Sequence, residues 1–206
     1  MNIKNKPNFI VVDGIDGVGK SLLVEAIDQY LTDQTLITKV VHIVESTHLA
    51  SEVKRYLKCS DAPQASATTL ALLFCSAIND VIERVIEPAQ LNGEVVIADR
   101  YTMSTRVYQA DSRYVDTICD IIDSVLTPDI TFVLDAPPAI LKERMDVRGP
   151  DGDVTESNCD ILINQRRKDY ARLARSASRD TYMIDASGTP EDVAQRVFDI
   201  LDTYYR

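Results

Sequence analysis

The amino-acid sequence predicts an α/β fold in which a five-stranded parallel sheet carries helices on both faces. Short runs that are wholly apolar and rich in β-branched residues alternate along the chain with segments of helical periodicity. These runs lack the alternation with polar residues that marks a strand with one solvated face, which is typical of a sheet buried on both faces. No repeat or linker interrupts the pattern, so residues 1–206 are predicted to form a single domain.

The individual elements follow from the same pattern. Strands are predicted at 9–13, 38–44, 94–99, 129–135 and 181–184. Helices are predicted over 20–31, 49–57, 65–86, 115–126, 159–176 and 190–204, and a further helix opens at Pro137 and Pro138. Pro88 is expected to end the third helix because proline has no backbone N–H to donate. The sequence RGPDGD at 148–153 is the clearest loop signal in the chain.

The overall composition narrows the classes of function. A formal net charge of −10 argues against a nucleic-acid partner, which would require a dense basic face. No window of roughly 18 apolar residues exists, so no contact with a membrane is expected. The first residues, MNIKNKPN, lack an apolar secretory core, which favours the cytoplasm, or the host cytoplasm if the source is a virus. The 4 cysteines form no CxxC pair and are expected to be free thiols rather than zinc ligands.

The sequence GIDGVGKS at 14–21 predicts a phosphate cradle, because it matches GxxxxGK[ST] between an apolar strand and a helix. Glycines allow the backbone N–H groups to turn towards phosphate oxygens, and a helix N-terminus adds positive potential. We therefore expect ATP and Mg²⁺ as cofactors, with Lys20 on the outer phosphates and Ser21 on the metal. The predicted ATP-binding residues are Gly14, Ile15, Asp16, Gly17, Val18, Gly19, Lys20 and Ser21.

A phosphate cradle alone does not distinguish a switch, a motor and a kinase of small molecules. A GTPase would carry an NKxD-type base reader on a late strand, whereas the only Asn-Lys pair here is Asn5-Lys6. A motor would carry paired acids after the third strand, whereas Asp99 is followed by Arg100. Arginine binds phosphate in a bidentate manner. Both observations favour transfer to a second anionic substrate, with Asp99 as the second predicted metal residue beside Ser21.

A second candidate site follows the third strand, in the sequence ADRYTMSTRVYQ at 98–109. The carboxyl ends of parallel strands face the ligand crevice, so this segment is expected beside the cradle. Polar residues at helical spacing would either line one wall of a pocket or face water: Ser104, Thr105, Tyr108 and Gln109.

Four segments together resemble thymidylate kinases, in order and at suitable separations: VVDGIDGVGKS, LLF at 72–74, DRYTMSTRVYQ and PDITFVLDAPP. The resemblance implies the P-loop kinase fold. It also implies a nucleoside-monophosphate kinase, which converts ATP and a deoxynucleoside monophosphate into ADP and the diphosphate. The family further implies a homodimer whose other partners are small-molecule nucleotides.

The resemblance also implies roles for individual residues. Asp16 would lie near the sugar and the metal, although it could instead only shape the turn. Phe74 would stack on the base, although it could instead belong to the core. Arg100 would hold the acceptor phosphate, and Tyr108 would exclude a ribose 2′-hydroxyl. The residues near the base would be Ser104, Thr105 and Gln109.

A closing lid is expected because an open site would hydrolyse ATP. The predicted lid covers residues 148–156, with Arg144 and Arg148 as its charges and Arg166 and Arg167 on the helix behind. Phosphoryl transfer depends on positioning and charge stabilisation more than on covalent chemistry. The predicted catalytic residues are Lys20, Arg100, Asp16 and Arg148, and Arg144 is predicted to contact ATP.

Three departures from the family pattern leave the acceptor base open. Ile78 stands where the family usually has an arginine that reaches the O4 edge of thymine, so either Asn79 replaces it or the base differs. The segment Glu45-Ser46-Thr47 lacks an arginine near the acceptor phosphate, and Lys54 or Arg55 is the candidate replacement. The lid carries Asp151 and Asp153 in place of arginines. The acceptor candidates are therefore dTMP, dUMP and a 5-substituted deoxyuridylate.

Two further alternatives stay open. A deoxynucleoside kinase acting on the 5′-hydroxyl needs a general base, and Asp13 at the end of the first strand is placed to supply one. A nucleotide-dependent switch or a silent binding module could use the same fold.

Overall fold

The structure is a computed structural model that describes residues 6–58, 65–148, 159–177 and 180–205. Within them the chain forms one five-stranded sheet in the order β2-β3-β1-β4-β5, and every strand pairing is parallel. The strands are β1 (Phe9–Gly14), β2 (Thr38–His42), β3 (Val95–Asp99), β4 (Ile130–Asp135) and β5 (Asp180–Asp185). The predicted fold class is confirmed.

Nine α-helices in the described residues connect and cover the strands. They are α1 (Lys20–Asp33), α2 (His48–Leu57), α3 (Ala67–Val81), α4 (Glu87–Leu91), α5 (Thr102–Tyr108), α6 (Val115–Val125), α7 (Pro138–Arg148), α8 (Asp160–Ser176) and α9 (Pro190–Tyr205).

The central strand β1 sends alternate side chains into two separate cores, as the period of a strand dictates. Ile10 and Val12 join the core formed with α1, α7, α8 and α9. Phe9 and Val11 join the core formed with α2, α3 and α6 on the opposite face. Burial on both faces explains why this strand contains no polar residue before Asp13.

The third helix differs from the prediction, because Pro88 does not end it. A π-helical turn over Ile82–Ile86 follows α3, and α4 continues from it to Leu91. Pro88 lies in the first turn of α4, where the widened hydrogen bonding of the π turn lets the chain do without its missing N–H. Gly93, at a φ of 79°, lies just beyond the end of the helix.

The second strand is shorter than predicted, ending at His42 rather than at residue 44. The backbone turns there because the N–H groups of Glu45 and Ser46 both donate to the carbonyl of His42. The predicted lid, 148–156, lies outside the described residues except for the backbone of Arg148, and the side chain of Arg148 also lies outside them. Among the helices described, none is both long and apolar enough to cross a membrane.

Candidate active site

The glycines of the cradle are required by its backbone geometry. Gly17 has a φ of 76°, and a Cβ atom there would lie 2.8 Å from Cγ of Met145. At Gly14 a Cβ atom would lie 2.5 Å from the carbonyl oxygen of Leu134. Gly19, at a φ of 101°, caps α1 without any side-chain hydrogen bond. The first N–H groups of α1 therefore face the turn, an arrangement suited to phosphate oxygens.

Lys20 lies buried within this turn, at 7% exposure. Its Nζ atom donates to the carbonyl oxygen of Ile15 at 2.9 Å. Burial and the nearby charge of Arg100 lower the pKa of Lys20 to about 8, while Asp16 acts in the opposite direction. A partly desolvated ammonium group is stabilised by a polyphosphate, so this site favours an anionic ligand.

Ser21 and Asp99 meet where β3 ends beside the cradle. The hydroxyl of Ser21 donates to Oδ2 of Asp99 at 3.1 Å. Burial raises the pKa of Asp99, but the imidazole of His42, 3.7 Å away, and the charges of Lys20 and Arg100 outweigh it and lower that pKa. The Oδ1 atom of Asp99 is buried without a hydrogen-bond partner among the described residues.

The oxygen atoms of Ser21 and Asp99 fit Mg²⁺, which prefers hard oxygen ligands and binds through one or two protein groups plus substrate phosphates. The buried, unpartnered Oδ1 atom of Asp99 supports this fit. No group of three or more His, Cys, Asp or Glu residues suited to a metal occurs in the described part of the chain. The pair is therefore the best protein contribution to such a site.

Arg100 lies in the cleft with its guanidinium group directed at the cradle. It forms an ion pair with Asp16 and donates to the Ser104 hydroxyl at 3.1 Å and to the carbonyl of Gly14 at 3.3 Å. Its backbone has a φ of 73°, a strained value for a residue with a side chain, and its N–H donates to the carbonyl of Val12 at 2.9 Å. Strain of this kind is concentrated at functional sites.

Asp16 is held from its other side by Tyr108, whose hydroxyl donates to Oδ2 of Asp16 at 2.5 Å. Burial alone would raise the pKa of Asp16, but the charges of Arg100 and Lys20 and the hydrogen bond of Tyr108 lower it to about 2. The ring of Tyr108 also lies against two guanidinium groups, 5.4 Å from Arg100 and 4.3 Å from Arg166. Asp16 therefore does more than shape the turn.

One cavity of about 640 Å³ contains the cradle and the second candidate site together. It is also lined by the end of β2, by α2 and by α3. The predicted site residues that line it are Asp16, Gly17, Val18, Gly19, Lys20, Ser21, Phe74, Ile78, Asp99, Arg100, Ser104, Thr105, Tyr108, Gln109 and Arg144. Gly14 and Ile15 lie behind them, as part of the backbone of the turn.

The acceptor side of the cavity combines an apolar wall with buried polar groups. Phe74 is half-buried, lining the cavity while also packing against the core. Ile78 is 1% exposed and lines the same wall. Gln109 is also 1% exposed, and its Oε1 atom is buried without a hydrogen-bond partner among the described residues. A buried amide oxygen of this kind is suited to a donor group on a ligand.

Asn79 is a correction to the predicted site. Its side-chain amide donates to Oε1 of Glu83, one turn along the helix, at 2.8 Å. Within the described part of the chain Asn79 does not line the cavity, whereas Ile78 does. Neighbouring residues on a helix point about 100° apart, so Asn79 cannot replace a side chain at position 78.

The two candidate replacements for the missing arginine differ in position. Lys54 lines the cavity and forms an ion pair with Glu45. Arg55 is exposed and donates through Nε to Glu52 at 2.8 Å, away from the cavity.

The arginines expected around the lid have separate partners. Arg144 donates to the carbonyl groups of Val18 and Gly188 at 3.2 and 3.1 Å and so joins the cradle to the loop before α9. Arg167 binds both carboxylate oxygens of Asp135, at 2.7 and 2.8 Å.

Asp13 does not have the position of a general base. It is 0% exposed, and its carboxylate accepts hydrogen bonds from the N–H of Gly14, from the hydroxyls of Ser104 and Tyr170, and from two further backbone N–H groups. A carboxylate satisfied in this way is structural. Sequence reasoning missed Tyr170 altogether, because nothing in the arginine-rich pattern of its helix marks a tyrosine for this position.

A glycine-built phosphate cradle with its buried lysine and a guanidinium group face one cleft on a parallel sheet, and together they define a P-loop phosphotransferase for small anionic substrates. The family model described as Thymidylate kinase matches residues 12–197. Three relatives named thymidylate kinase show the extent of the similarity. That of Symbiobacterium thermophilum is 31% identical over 194 residues, 92% of this chain and 90% of the relative. That of Jannaschia sp. is 32% identical over 197 residues, which are 93% of this chain and 94% of the relative. That of Pseudoalteromonas translucida is 28% identical over 205 residues, which are 97% of this chain and 98% of the relative. The chain belongs to the thymidylate kinase family, a family of nucleoside-monophosphate kinases that use ATP.

Proposed function

We propose that this chain transfers the γ-phosphoryl group of ATP to the phosphate of dTMP, giving ADP and dTDP. One observation carries the proposal: Lys20 and Arg100 face a single cavity, one from the cradle and the other from the end of β3. Two cationic groups in one cleft can neutralise two anionic substrates as they approach each other. Membership of the family supports this reaction.

The donor side would bind ATP through the cradle. The N–H groups at the start of α1 and the Nζ atom of Lys20 would contact the β- and γ-phosphates, and Arg144 would hold the turn against α7. Ser21 and Asp99 would hold Mg²⁺, which supplies positive charge to the phosphoryl oxygens when it is bound.

On the acceptor side, Arg100 would bind the phosphate of dTMP and Phe74 would stack on the base, with Gln109, Ser104 and Thr105 near it. Tyr108 would fill the space of a 2′-hydroxyl. An oxygen of the acceptor phosphate forms the new P–O bond, and the bond from the γ-phosphorus to the bridging oxygen of ADP breaks. The acceptor is already an anion, so the reaction needs no general base. The buried and saturated carboxylate of Asp13 is consistent with this.

The apolar wall at Ile78 supports a second candidate for the acceptor, dUMP or a 5-substituted deoxyuridylate. Uracil and its 5-substituted forms share O4 with thymine and differ from it only at C5, and the apolar side chain of Ile78 would pack against any of these bases without a hydrogen bond. The lid over 148–156, with Arg148 as a catalytic cation, is proposed to close over both substrates and exclude water.

A homodimer in the cytoplasm is the proposed state of the enzyme. Both α2 and α6 pack against α3, and together they form one layer of the molecule. Large apolar side chains are exposed on this layer, namely Leu49, Leu72, Ile121 and Val125. We take this layer as the proposed interface, because apolar patches on a protein surface are sites of association. Light scattering after size-exclusion chromatography should give twice the 23.0 kDa of one chain, and a monomeric mass would contradict the dimer.

The function is tested by a coupled assay of ADP release with Mg·ATP and a panel of acceptors: dTMP, dUMP, dCMP, the ribonucleotide of thymine, and thymidine. We expect turnover with dTMP, less with the ribonucleotide and none with thymidine. Turnover with thymidine alone would select the deoxynucleoside kinase instead. Inactivity on the whole panel, with ATP still bound, would select a binding module.

A further inference from the structure

The hydroxyl group of Tyr170 is buried beside the arginine proposed to hold the acceptor phosphate, yet it does not belong to the cleft. Tyr170 lies on α8 at 2% exposure. Its hydroxyl donates to Oδ1 of Asp13 at 2.9 Å and lies 2.9 Å from Oγ of Ser104. Burial raises its pKa well above the usual range, so the hydroxyl keeps its proton as a hydrogen-bond donor.

The partners of Tyr170 hold the turn that carries Arg100. Asp13 accepts hydrogen bonds from the N–H groups of Ser104 and Tyr101, at 3.1 and 3.4 Å. Ser104 donates its hydroxyl proton to Asp13 at 2.6 Å and accepts from the guanidinium of Arg100 at 3.1 Å. The Ser104 hydroxyl, which accepts a hydrogen bond from the Arg100 side chain, is therefore itself fixed by Asp13 and Tyr170.

The backbone of Arg100 makes this support necessary. Its φ of 73° is unfavourable for a residue with a side chain and persists only where the surroundings determine it. Asp13 accepts hydrogen bonds from the N–H groups of Tyr101 and Ser104, just after Arg100, and these bonds hold the backbone of Arg100 in this conformation. The hydroxyl of Tyr170 contacts both Asp13 and Ser104, so it fixes how these two groups lie relative to each other.

Helix α8 approaches α5 at a second point that leads to the same arginine. Arg166, one helical turn before Tyr170, lies 4.3 Å from the ring of Tyr108. Tyr108 in turn binds Asp16, the ion-pair partner of Arg100. The two contacts of α8 therefore both lead to Arg100, one through Ser104 and the other through Tyr108.

We propose that Tyr170 is a positioning residue for acceptor binding, which acts through Ser104 and Asp13 to hold the guanidinium of Arg100 in place. This inference rests on the proposed function, in which Arg100 binds the acceptor phosphate. It assigns the hydroxyl chiefly to the acceptor side, because the contacts of Tyr170 reach the side chain of Arg100 through Ser104. They reach the cradle only through Asp13, which accepts from the backbone N–H of Gly14.

The variant Tyr170→Phe removes the hydroxyl and keeps the ring, and Asp13 retains its other donors. We expect the KM for dTMP to rise about tenfold, as for the loss of one hydrogen bond in a network with charged members, with the KM for ATP within twofold of wild type. The matched control is Tyr205→Phe, which removes a buried hydroxyl bonded to the carbonyl of Pro7, far from the cleft. This control should leave both KM values unchanged.

A double-mutant cycle tests the route of the effect. In a Ser104→Ala background, Tyr170→Phe should raise the KM for dTMP by less than about threefold, because residues in one network do not act additively. Full additivity would overturn the inference. So would a Tyr170→Phe enzyme that matches Tyr205→Phe in both KM values, or one whose two KM values rise together. Failure of the proposed function would be seen separately, as a wild-type protein that does not phosphorylate dTMP.

Discussion

The donor and acceptor sides of the cleft are built by different means. On the donor side the backbone does the positioning, since three glycines with positive φ values and the start of α1 form the cradle within one continuous segment. On the acceptor side, side chains from four segments hold one another around the ion pair of Arg100 and Asp16. These segments are β1 with the turn after it, the residue that follows β3, α5 and α8. A site built from one continuous stretch of backbone can be recognised in the sequence as a motif, whereas a network of side chains from four separate segments cannot.

The largest expected effect is the loss of activity on removal of the cation of the donor side. Lys20→Ala should lower kcat about 10²–10³-fold, because a preorganised cation next to the transferred group is lost from a buried site. The melting temperature should change little, since the variant also removes a buried charge. The ADP-release assay measures the effect, with the exposed Lys39→Ala on β2 as the control. Activity within threefold of wild type would remove Lys20 from the mechanism.

The backbone character of the donor side is tested by Gly17→Ala. Gly17 and Gly93 have almost equal φ values, 76° and 79°, but only at Gly17 does an added Cβ atom meet described neighbours, Cγ of Met145 at 2.8 Å and the carbonyl of Leu141 at 3.1 Å. Gly93→Ala is thus a control for strain alone, about 1 kcal/mol. Gly17→Ala should lose roughly a further 1–3 kcal/mol, the cost of overpacking, and should raise the KM for ATP.

Urea unfolding of both glycine variants gives the two stability losses. Equal losses, with an unchanged KM for ATP in Gly17→Ala, would show that the cradle can shift to accept a side chain. The backbone of the cradle would then not be the rigid element that positions the donor.

The electrostatics of the acceptor side predict a pH dependence. The pKa of Asp16 is 3.8 in a model compound and about 2 in the folded protein, so its carboxylate stabilises the fold above pH 3.8 and loses this contribution as the pH falls towards 2. The loss amounts to about 2 kcal/mol. Between pH 4 and pH 2 the free energy of unfolding of wild type should therefore fall by about that much more than that of Asp16→Asn. Parallel profiles for the two proteins would mean that Arg100 does not stabilise this carboxylate.

The sequence predicted the sheet, the cradle and most of the cavity lining because these depend on local patterns. Wholly apolar runs predicted buried strands, and polar residues at helical spacing after β3 predicted the wall formed by Ser104, Thr105 and Gln109. The continuation of the third helix past Pro88 was not predictable, because it depends on a π turn that no residue type specifies.

The two alternatives left open by the sequence on the acceptor side, at Asn79 and at Asp13, depend on packing. Asn79 and Ile78 are adjacent in the sequence, and only the rotation of α3 decides which of them faces the cavity. That rotation is set by packing of the whole helix against the core. Similarly, Asp13 stands near the end of β1, where a general base would stand, and only the approach of α5 and α8 shows that its carboxylate is saturated with donors.

The smallest expected effect concerns the base. Arginine only donates hydrogen bonds, so Ile78→Arg would favour thymine, whose O4 accepts, over cytosine, whose N4 amino group donates. The ratio of kcat/KM for dTMP to that for dCMP should rise about fivefold, less than a charged hydrogen bond usually gives, because the new side chain must be desolvated in a wall where Ile78 is 1% exposed. Ile78→Met, which adds no donor, should leave the ratio unchanged. An unchanged ratio in Ile78→Arg as well would place the base away from α3 and would undo the assignment of this wall to the acceptor.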